Sequence, residues 1–406
     1  MPIIAKIQVT TEKEHEVAKQ LAKLVGYKDD RDNTCKPFKT WGHITSGGTV
    51  ANFEALWVAR NLKYYPLAVK RAIKKGGLDL EVNITVPNKE EPEDLTSLDY
   101  WTLLNLDVAE VLSIREKLCH KYKDEHFRDI AEKVAEELNE ELNSNFKIPV
   151  NCTTKDECFN KLYTGYKNVK RNKSEEEEEE EAKKEINTRI DKQVGRVIDD
   201  KIADYTISAK GIQGFFTNFE GYLSSIDAEF EDDLNNGILS EKLKDEFKTE
   251  VFSISENANV TKEKDDKWEI TDGEKIYIVN KEDGKLNIYE GIKPGVILVT
   301  ATAHYSLVKL TEALGIGKEQ IKKIPIDKYF SMDIDELKKT LSNCLEEHEP
   351  IIALISILGS TEEGAVDYVH KITERRLHPK SQYLSRYIVH IIPCDGKQHH
   401  IEEHIR

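Results

Sequence analysis

Gly47, Gly48 and Thr49 stand at the head of a stretch in which Val50, Phe53 and Trp57 recur at helical spacing, with Ala51, Ala55 and Val58 beside them. Glycines let a backbone come close to a ligand. Free N–H groups at the positive end of a helix suit a phosphate. The stretch lacks the lysine of a P-loop and the glycine spacing of a dinucleotide turn, so on its own it reads equally as a glycine turn before a helix. His304 follows the apolar run Val296 to Thr300. An imidazole there can hold or move a proton near neutral pH, or simply be satisfied in a loop. A third stretch, GSTEEGAVD from Gly359 to Asp367, follows the apolar run Ile351 to Leu358 and reads as a strand-end loop with a turn glycine. The C-terminal Gln398-His399-His400 with His404 is histidine-rich, but no acidic or cysteine partner stands at ligand spacing, so no metal is expected.

The elements that must position these residues follow from periodicity. Val17, Leu21, Leu24 and Val25 mark the buried face of a helix in the first thirty positions. The helix after Gly48 is expected to stop before Pro66, which cannot continue one. Further helices are expected over 67–75, ending at Gly76-Gly77, over 95–118 with Trp101, Leu104, Val108 and Leu112 on one side, and over 126–142. Glu175 to Glu181 form a run of seven glutamates, expected as a solvated helix face or a disordered loop. Residues 266–290 alternate apolar and polar around Asp272-Gly273 and Asp283-Gly284, a hairpin pattern. From Gly291 strands and helices alternate: Val296 to Thr300, a helix closed by Gly315, Ile321 to Ile326, a helix capped by Asp333, and Ile351 to Leu358. Such alternation means crossover units in a mostly parallel sheet, with ligands at the carboxyl ends of its strands.

The chain has 406 residues and a net charge of −16, which argues against a nucleic-acid surface or an anionic membrane as the main partner. Six cysteines, at 35, 119, 152, 158, 344 and 394, form no C-x-x-C pair, so reduced thiols are expected rather than a zinc knuckle or a disulfide framework. No apolar run reaches membrane-spanning length and no signal peptide precedes the first charges, so a cytoplasmic protein is expected.

Three stretches, in order, carry a resemblance. TSGGT-x-AN with EALW-x-ARN resembles the phosphate cup of the group II pyridoxal-phosphate-dependent amino-acid decarboxylases, and HYS at His304 and GSTEEGAVD resemble two later motifs of the same family. The last matches the bacterial tyrosine decarboxylase form almost letter for letter. The resemblance implies the fold-type-I large domain, a mostly parallel sheet flanked by helices, here incomplete. It implies pyridoxal 5'-phosphate as cofactor, with Gly47, Gly48 and Thr49 on its phosphate, His304 stacked on its ring and Thr361 near its phenolic oxygen. Asp367 is expected to orient its loop, and Ser306 and Lys309 to be ordinary helix residues. Residues 1–150 would be the N-terminal part of the cofactor domain, 151–290 a charged, partly disordered insertion, 291–372 the α/β part, and 373–406 an aberrant tail.

The resemblance fades at the tail. With His390 on the family's H-V-D-A-A histidine, Ile392 falls where the aspartate paired to the ring nitrogen belongs, and Asp395 comes too late. The Schiff-base lysine is expected further downstream and has no counterpart; Lys397 is too close. The expected function is a carboxy-lyase acting on tyrosine or a related L-amino acid, in a family of homodimers, truncated here at both ends. The alternative is a non-catalytic remnant that binds the cofactor weakly or pairs with a full-length subunit. An aminotransferase on the same fold fits the motifs less well.

Overall fold

The computed structural model describes residues 12–21, 23, 42–87, 89, 91–142, 152–169, 175–207, 217–222, 228–238, 257–263, 267–273, 275–280, 285–290, 295–360, 363–373 and 388–391. The chain divides into two compact units, Met1–Ala55 and Leu56–Arg406. In the first, a helix over 12–21 (α1) is followed by the stretch 42–47, and α2 (Gly48–Lys75) begins. Glu14 accepts the Ile44 N–H at 3.0 Å, and Ala18 is buried. Val17 and Leu21, expected inside, are exposed; Leu24 and Val25 lie outside the described residues.

α2 does not stop at Pro66 but runs through it to Lys75, where Gly77, at φ 65°, ends it. A proline inside a helix costs about 3 kcal/mol. Here it lies among Leu56, Ala59, Tyr64, Leu67, Ala68, Val69 and Ala72, all buried, and burial on this scale outweighs one lost hydrogen bond. The buried face is not the stripe the spacing suggested: Val50, Trp57 and Val58 are exposed and Phe53 is half-buried. The face that packs includes Arg60, Lys63 and Lys70, each at most 6% exposed. Each reaches an oxygen: Arg60 donates to the Leu314 carbonyl, Lys70 to the Leu98 carbonyl, and Lys63 Nζ to Asn105 Oδ1 at 3.5 Å.

The sheet that matters for the site is four-stranded and wholly parallel, in the order β11 (Ile388–Ile391), β10 (Ile351–Ile357), β8 (Val296–Thr300), β9 (Ile321–Ile324). All residues of β8 and β10 are buried, as unbroken apolar runs in a covered parallel sheet must be. Val296, Leu298, Ile324 and Leu354 pack with Leu337, Leu341 and Cys344 of α10 (Ile334–Glu346) and with Ile372 of α11 (Val369–Thr373). At the amino end of β8, Tyr64 Oη accepts the Gly295 N–H at 2.9 Å. A Cβ at Gly295 would lie 2.5 Å from that oxygen, so only glycine fits. α9 (Ser306–Ala313) closes on Gly315 at φ 66°, and Asp333 caps α10 by accepting from Asp335 and Glu336 N–H groups, as the sequence indicated.

The expected helix over 95–118 is two helices, α3 (Tyr100–Leu104) and α4 (Val108–Glu125), because Asp99 and Asp107 each cap a new start. Val111, Ile114 and Leu118 are buried while Leu112 is exposed. α4, α5 (Phe127–Leu142), α6 (Lys155–Val169) and α7 (Glu175–Ala203) pack as a bundle, and the glutamate run is the first two turns of α7. Ile186, Ile190, Val194, Ile198 and Ile202 form the buried stripe of α7. Arg115 of α4 grips Asp199 through two hydrogen bonds of 2.9 and 2.8 Å, and a Cβ at Gly195 would lie 2.8 Å from its guanidinium. Cys152 and Cys158 form a disulfide at the start of α6, with Cα atoms 5.4 Å apart. That corrects the expectation of reduced thiols: Cys152, three residues before α6, and Cys158, in its first turn, are six residues apart, and the turn into the helix brings them together. α8 (Ala228–Asn235) lies beside an antiparallel sheet ordered β3 (Thr217–Tyr222), β7 (Lys285–Glu290), β6 (Lys275–Asn280), β5 (Lys267–Asp272), β4 (Asn259–Glu263). β5 and β6 meet at Asp272-Gly273 with Gly273 at φ 61°, the expected hairpin turn. β1 (Asn83–Ile84) and β2 (Glu93–Asp94) make a short antiparallel pair.

Burial pushes the Lys63 ammonium down to about 7. A folded-state value below the unfolded 10.5 means that the unfolded chain takes up a proton the folded chain refuses. Between pH 7 and 10 this group alone makes stability rise with pH, by up to about 1.4 kcal/mol per unit. Lys63→Met is expected to be more stable than the wild type at pH 7, with the difference shrinking as pH rises. Urea denaturation of both proteins across that range measures it, and parallel pH profiles would exclude a neutral buried Lys63.

Candidate active site

In the first unit the sequence builds an anion-ready turn. Gly47 forms a bend and α2 starts at Gly48. The Gly47 carbonyl accepts from Val50 N, Ala51 N and Thr45 Oγ1 at 3.1, 3.1 and 3.0 Å. This leaves the Gly48 and Thr49 N–H groups without an acceptor among the described residues. A Cβ at Gly47 or Gly48 would meet nothing within 4 Å, so the approach is open. His43 pairs through Nε2 with Oε2 of Glu54, in the second turn of the helix.

In the second unit the site residues gather at the carboxyl ends of β8 and β10. His304 lies four residues past Thr300 and its ring is exposed. Its Nδ1 faces the start of α9, with Ser306 Oγ at 2.8 Å and the Ser306 N–H donating at 3.2 Å. Its ring lies 4.3 Å from the Tyr305 ring, tilted by 41°, and Lys309 Nζ sits 4.8 Å from the Tyr305 centroid. Ser306 is the helix residue expected, and it is also buried and bonded to the His304 imidazole. The signal for it was in the sequence, as a hydroxyl two positions after a histidine at a strand-to-helix turn.

The loop after β10 is folded back on itself. Gly359 at φ 106° and Gly364 at φ 66° take left-handed backbone that side chains resist. The N–H groups of Gly359 and Ser360 both donate to the Ala365 carbonyl, at 3.0 and 2.9 Å. Ser360 Oγ accepts the Ala365 N–H and donates to Glu363. Asp367 is buried, with one oxygen accepting the Ile357 N–H at 2.8 Å and the other the Met332 N–H at 2.6 Å. Burial pushes its carboxyl up, against those two donors, which pull it down. This is the orienting role expected from the sequence. Thr361 lies outside the described residues, as do Ile392, Asp395, Lys397 and the histidines of the tail. His390 falls on β11, in register with Ser356 of β10. Among the described residues no group of three His, Cys, Asp or Glu could hold a metal ion, and no helix is long and apolar enough to cross a membrane.

Asp367→Ala would strand two buried N–H groups, each costing about 1–3 kcal/mol. A loss of roughly 2–4 kcal/mol is expected by chemical denaturation, and a loss under about 0.5 kcal/mol would refute the tie.

No family model matches the chain. It is 43% identical over 79 residues to the L-tyrosine decarboxylase of Enterococcus faecalis, a stretch covering 20% of this chain and 13% of that protein. It is 36% identical over 96 residues to the Enterococcus faecium L-tyrosine decarboxylase, covering 24% of this chain and 16% of that protein. An Acinetobacter baumannii L-2,4-diaminobutyrate decarboxylase is 27% identical over 85 residues, 21% of this chain and 17% of that protein. Among solved structures, mouse CSAD aligns at TM-score 0.20 and 22% identity over 20% of this chain and 17% of its own. The chain thus shares about a fifth of its length with curated relatives, and that fifth spans a sixth or less of each of the two tyrosine decarboxylases. Over that shared stretch the chain is similar to L-tyrosine decarboxylases.

Proposed function

We propose that the chain carries part of a pyridoxal-phosphate-dependent carboxy-lyase acting on tyrosine or a related L-amino acid, with 1–150 and 291–372 belonging to one cofactor-binding domain. The observation that carries this is the 43% identity with a tyrosine decarboxylase over 79 residues. The local geometry supports it. Gly47, Gly48 and Thr49 would hold the phosphate, through the two N–H groups that have no acceptor among the described residues and over glycines that leave the approach open. His304, exposed at the carboxyl end of the parallel sheet, would lie against the pyridine ring, and Thr361 near the phenolic oxygen. When bound, the cofactor supplies an electron sink for the pair left as the carboxylate departs as carbon dioxide. The chain's own part is to hold the phosphate, to keep a flat imidazole against the ring, and to fix the loop after β10 through Asp367. In this reading the protein works as a cytoplasmic homodimer.

A second reading is favoured by Ile392, which stands where the family's aspartate belongs. In it the chain binds the cofactor without turnover or pairs with a full-length subunit.

Titration with pyridoxal phosphate is expected to give a saturable change in visible absorbance. His304→Ala and Gly48→Asp should each weaken it by about tenfold or more, roughly 1.4 kcal/mol. The aspartate suits the start of a helix but repels phosphate, so α2 should survive it. Release of carbon dioxide and tyramine from tyrosine would establish the lyase. Binding without release, and no adduct by intact mass after borohydride, would establish the second reading. An absence of saturable binding by the wild-type chain sinks the first reading and leaves of the second only pairing with a full-length subunit.

A further inference from the structure

We infer that Ser306 is a positioning residue for His304: it fixes the neutral imidazole as the Nε2–H tautomer, so that the exposed edge of the ring offers a proton rather than a lone pair. The Ser306 N–H, the first of α9, points at His304 Nδ1 from 3.2 Å. A backbone N–H can only donate, so Nδ1 must be the accepting nitrogen. The Ser306 hydroxyl lies 2.8 Å from the same atom and donates to it as well. Two donors converging on Nδ1 leave no room for a proton there, and the single proton of the neutral ring goes to Nε2.

The arrangement is held from both sides. Ser306 is 3% exposed and its backbone is fixed as the first residue of a helix. The His304 carbonyl accepts the Leu307 N–H at 3.1 Å, so the histidine's main chain is tied to the same turn as its side chain. Tyr305, which precedes the helix, has no side-chain capping bond. The imidazole does the capping instead, satisfying one of the N–H groups that a helix start leaves over. One interaction thus closes the end of α9 and selects the tautomer.

The consequence for a ligand is a preference of chemical class. An Nε2–H on an exposed ring at the carboxyl end of a parallel sheet donates to an oxygen or nitrogen bearing a lone pair. A carboxylate or phenolate oxygen fits, and an N–H donor does not. That this edge faces the cofactor and its amino-acid substrate rests on the function proposed above; the tautomer does not.

The test needs no ligand. The 406-residue chain, with 15N in its histidine rings, is studied by long-range 1H–15N correlation at a pH where the His304 ring is neutral, with His304→Gln identifying its signals. The expected pattern is a pyridine-like Nδ1 and a pyrrole-like Nε2. Ser306→Ala keeps the backbone donor but loses the hydroxyl, and should raise the Nδ1–H population by about fivefold, the size of one neutral hydrogen bond. Ser306→Thr should restore the wild-type pattern. An Nδ1–H tautomer in the wild type would overturn the inference, whether or not the variants fold, and so would a Ser306→Ala spectrum identical to the wild type. Because cofactor binding is measured separately, loss of the proposed function leaves the tautomer result standing, and the reverse.

Discussion

The carboxyl edge of the parallel sheet depends on one buried carboxylate. Asp367 takes the N–H of Ile357, the last residue of β10, with one oxygen, and the N–H of Met332, in the connection from β9 to α10, with the other. It therefore joins the central strand to the edge crossover across a gap that no ladder bond spans. Its neighbours reinforce the join: Ser331 donates to the Val366 carbonyl, and Tyr368 donates to Asp327. The loop 359–367 is thereby a closed circuit that begins and ends on β10, with Leu358 bridged to Val366. Each charge-assisted bond of this kind is stronger than a neutral one, and a carboxylate in so dry a place holds only because both oxygens are used.

The same economy explains why a helix with a proline in its middle persists. α2 presents three basic side chains to the interior, and their heads are spent on carbonyl or amide oxygens of neighbouring elements. Arg60 reaches the Leu314 carbonyl at the C-terminal end of α9, where a cation is favoured by the helix dipole. The long aliphatic stems fill the space that aliphatic residues would otherwise fill. Pro66 removes one backbone bond from a helix that is anchored on either side of it.

What was legible in the sequence follows from how local the cause is. β8 and β10 were legible because a strand buried on both faces must be apolar throughout. Gly315 and Asp333 were legible because a left-handed residue and a helix cap each ask for a particular side chain. The packing face of α2 was not, because periodicity counts Val50 and Trp57 as inside and Lys63 and Arg60 as outside, and tertiary hydrogen bonding reversed both. The break between α3 and α4 was missed for a related reason: Asp99 and Asp107 were local cap signals overridden by a longer apolar rhythm. At the site, the cup glycines, His304 and Asp367 stood out by type and position. Ser306 did not, since a serine at a helix start is ordinary until its hydroxyl is seen against an imidazole, and the pairing of Cys152 with Cys158 was hidden by a spacing that matches no common motif.

Gly195 carries a consequence for how this chain can vary. It is a notch in α7 into which the guanidinium of Arg115 fits, and the same guanidinium then reaches Asp199. A side chain at 195 is admissible only if the residue at 115 shortens or turns away, and a turned-away residue 115 releases 199 from any need to be acidic. A change at any of the three positions therefore alters what the other two can do.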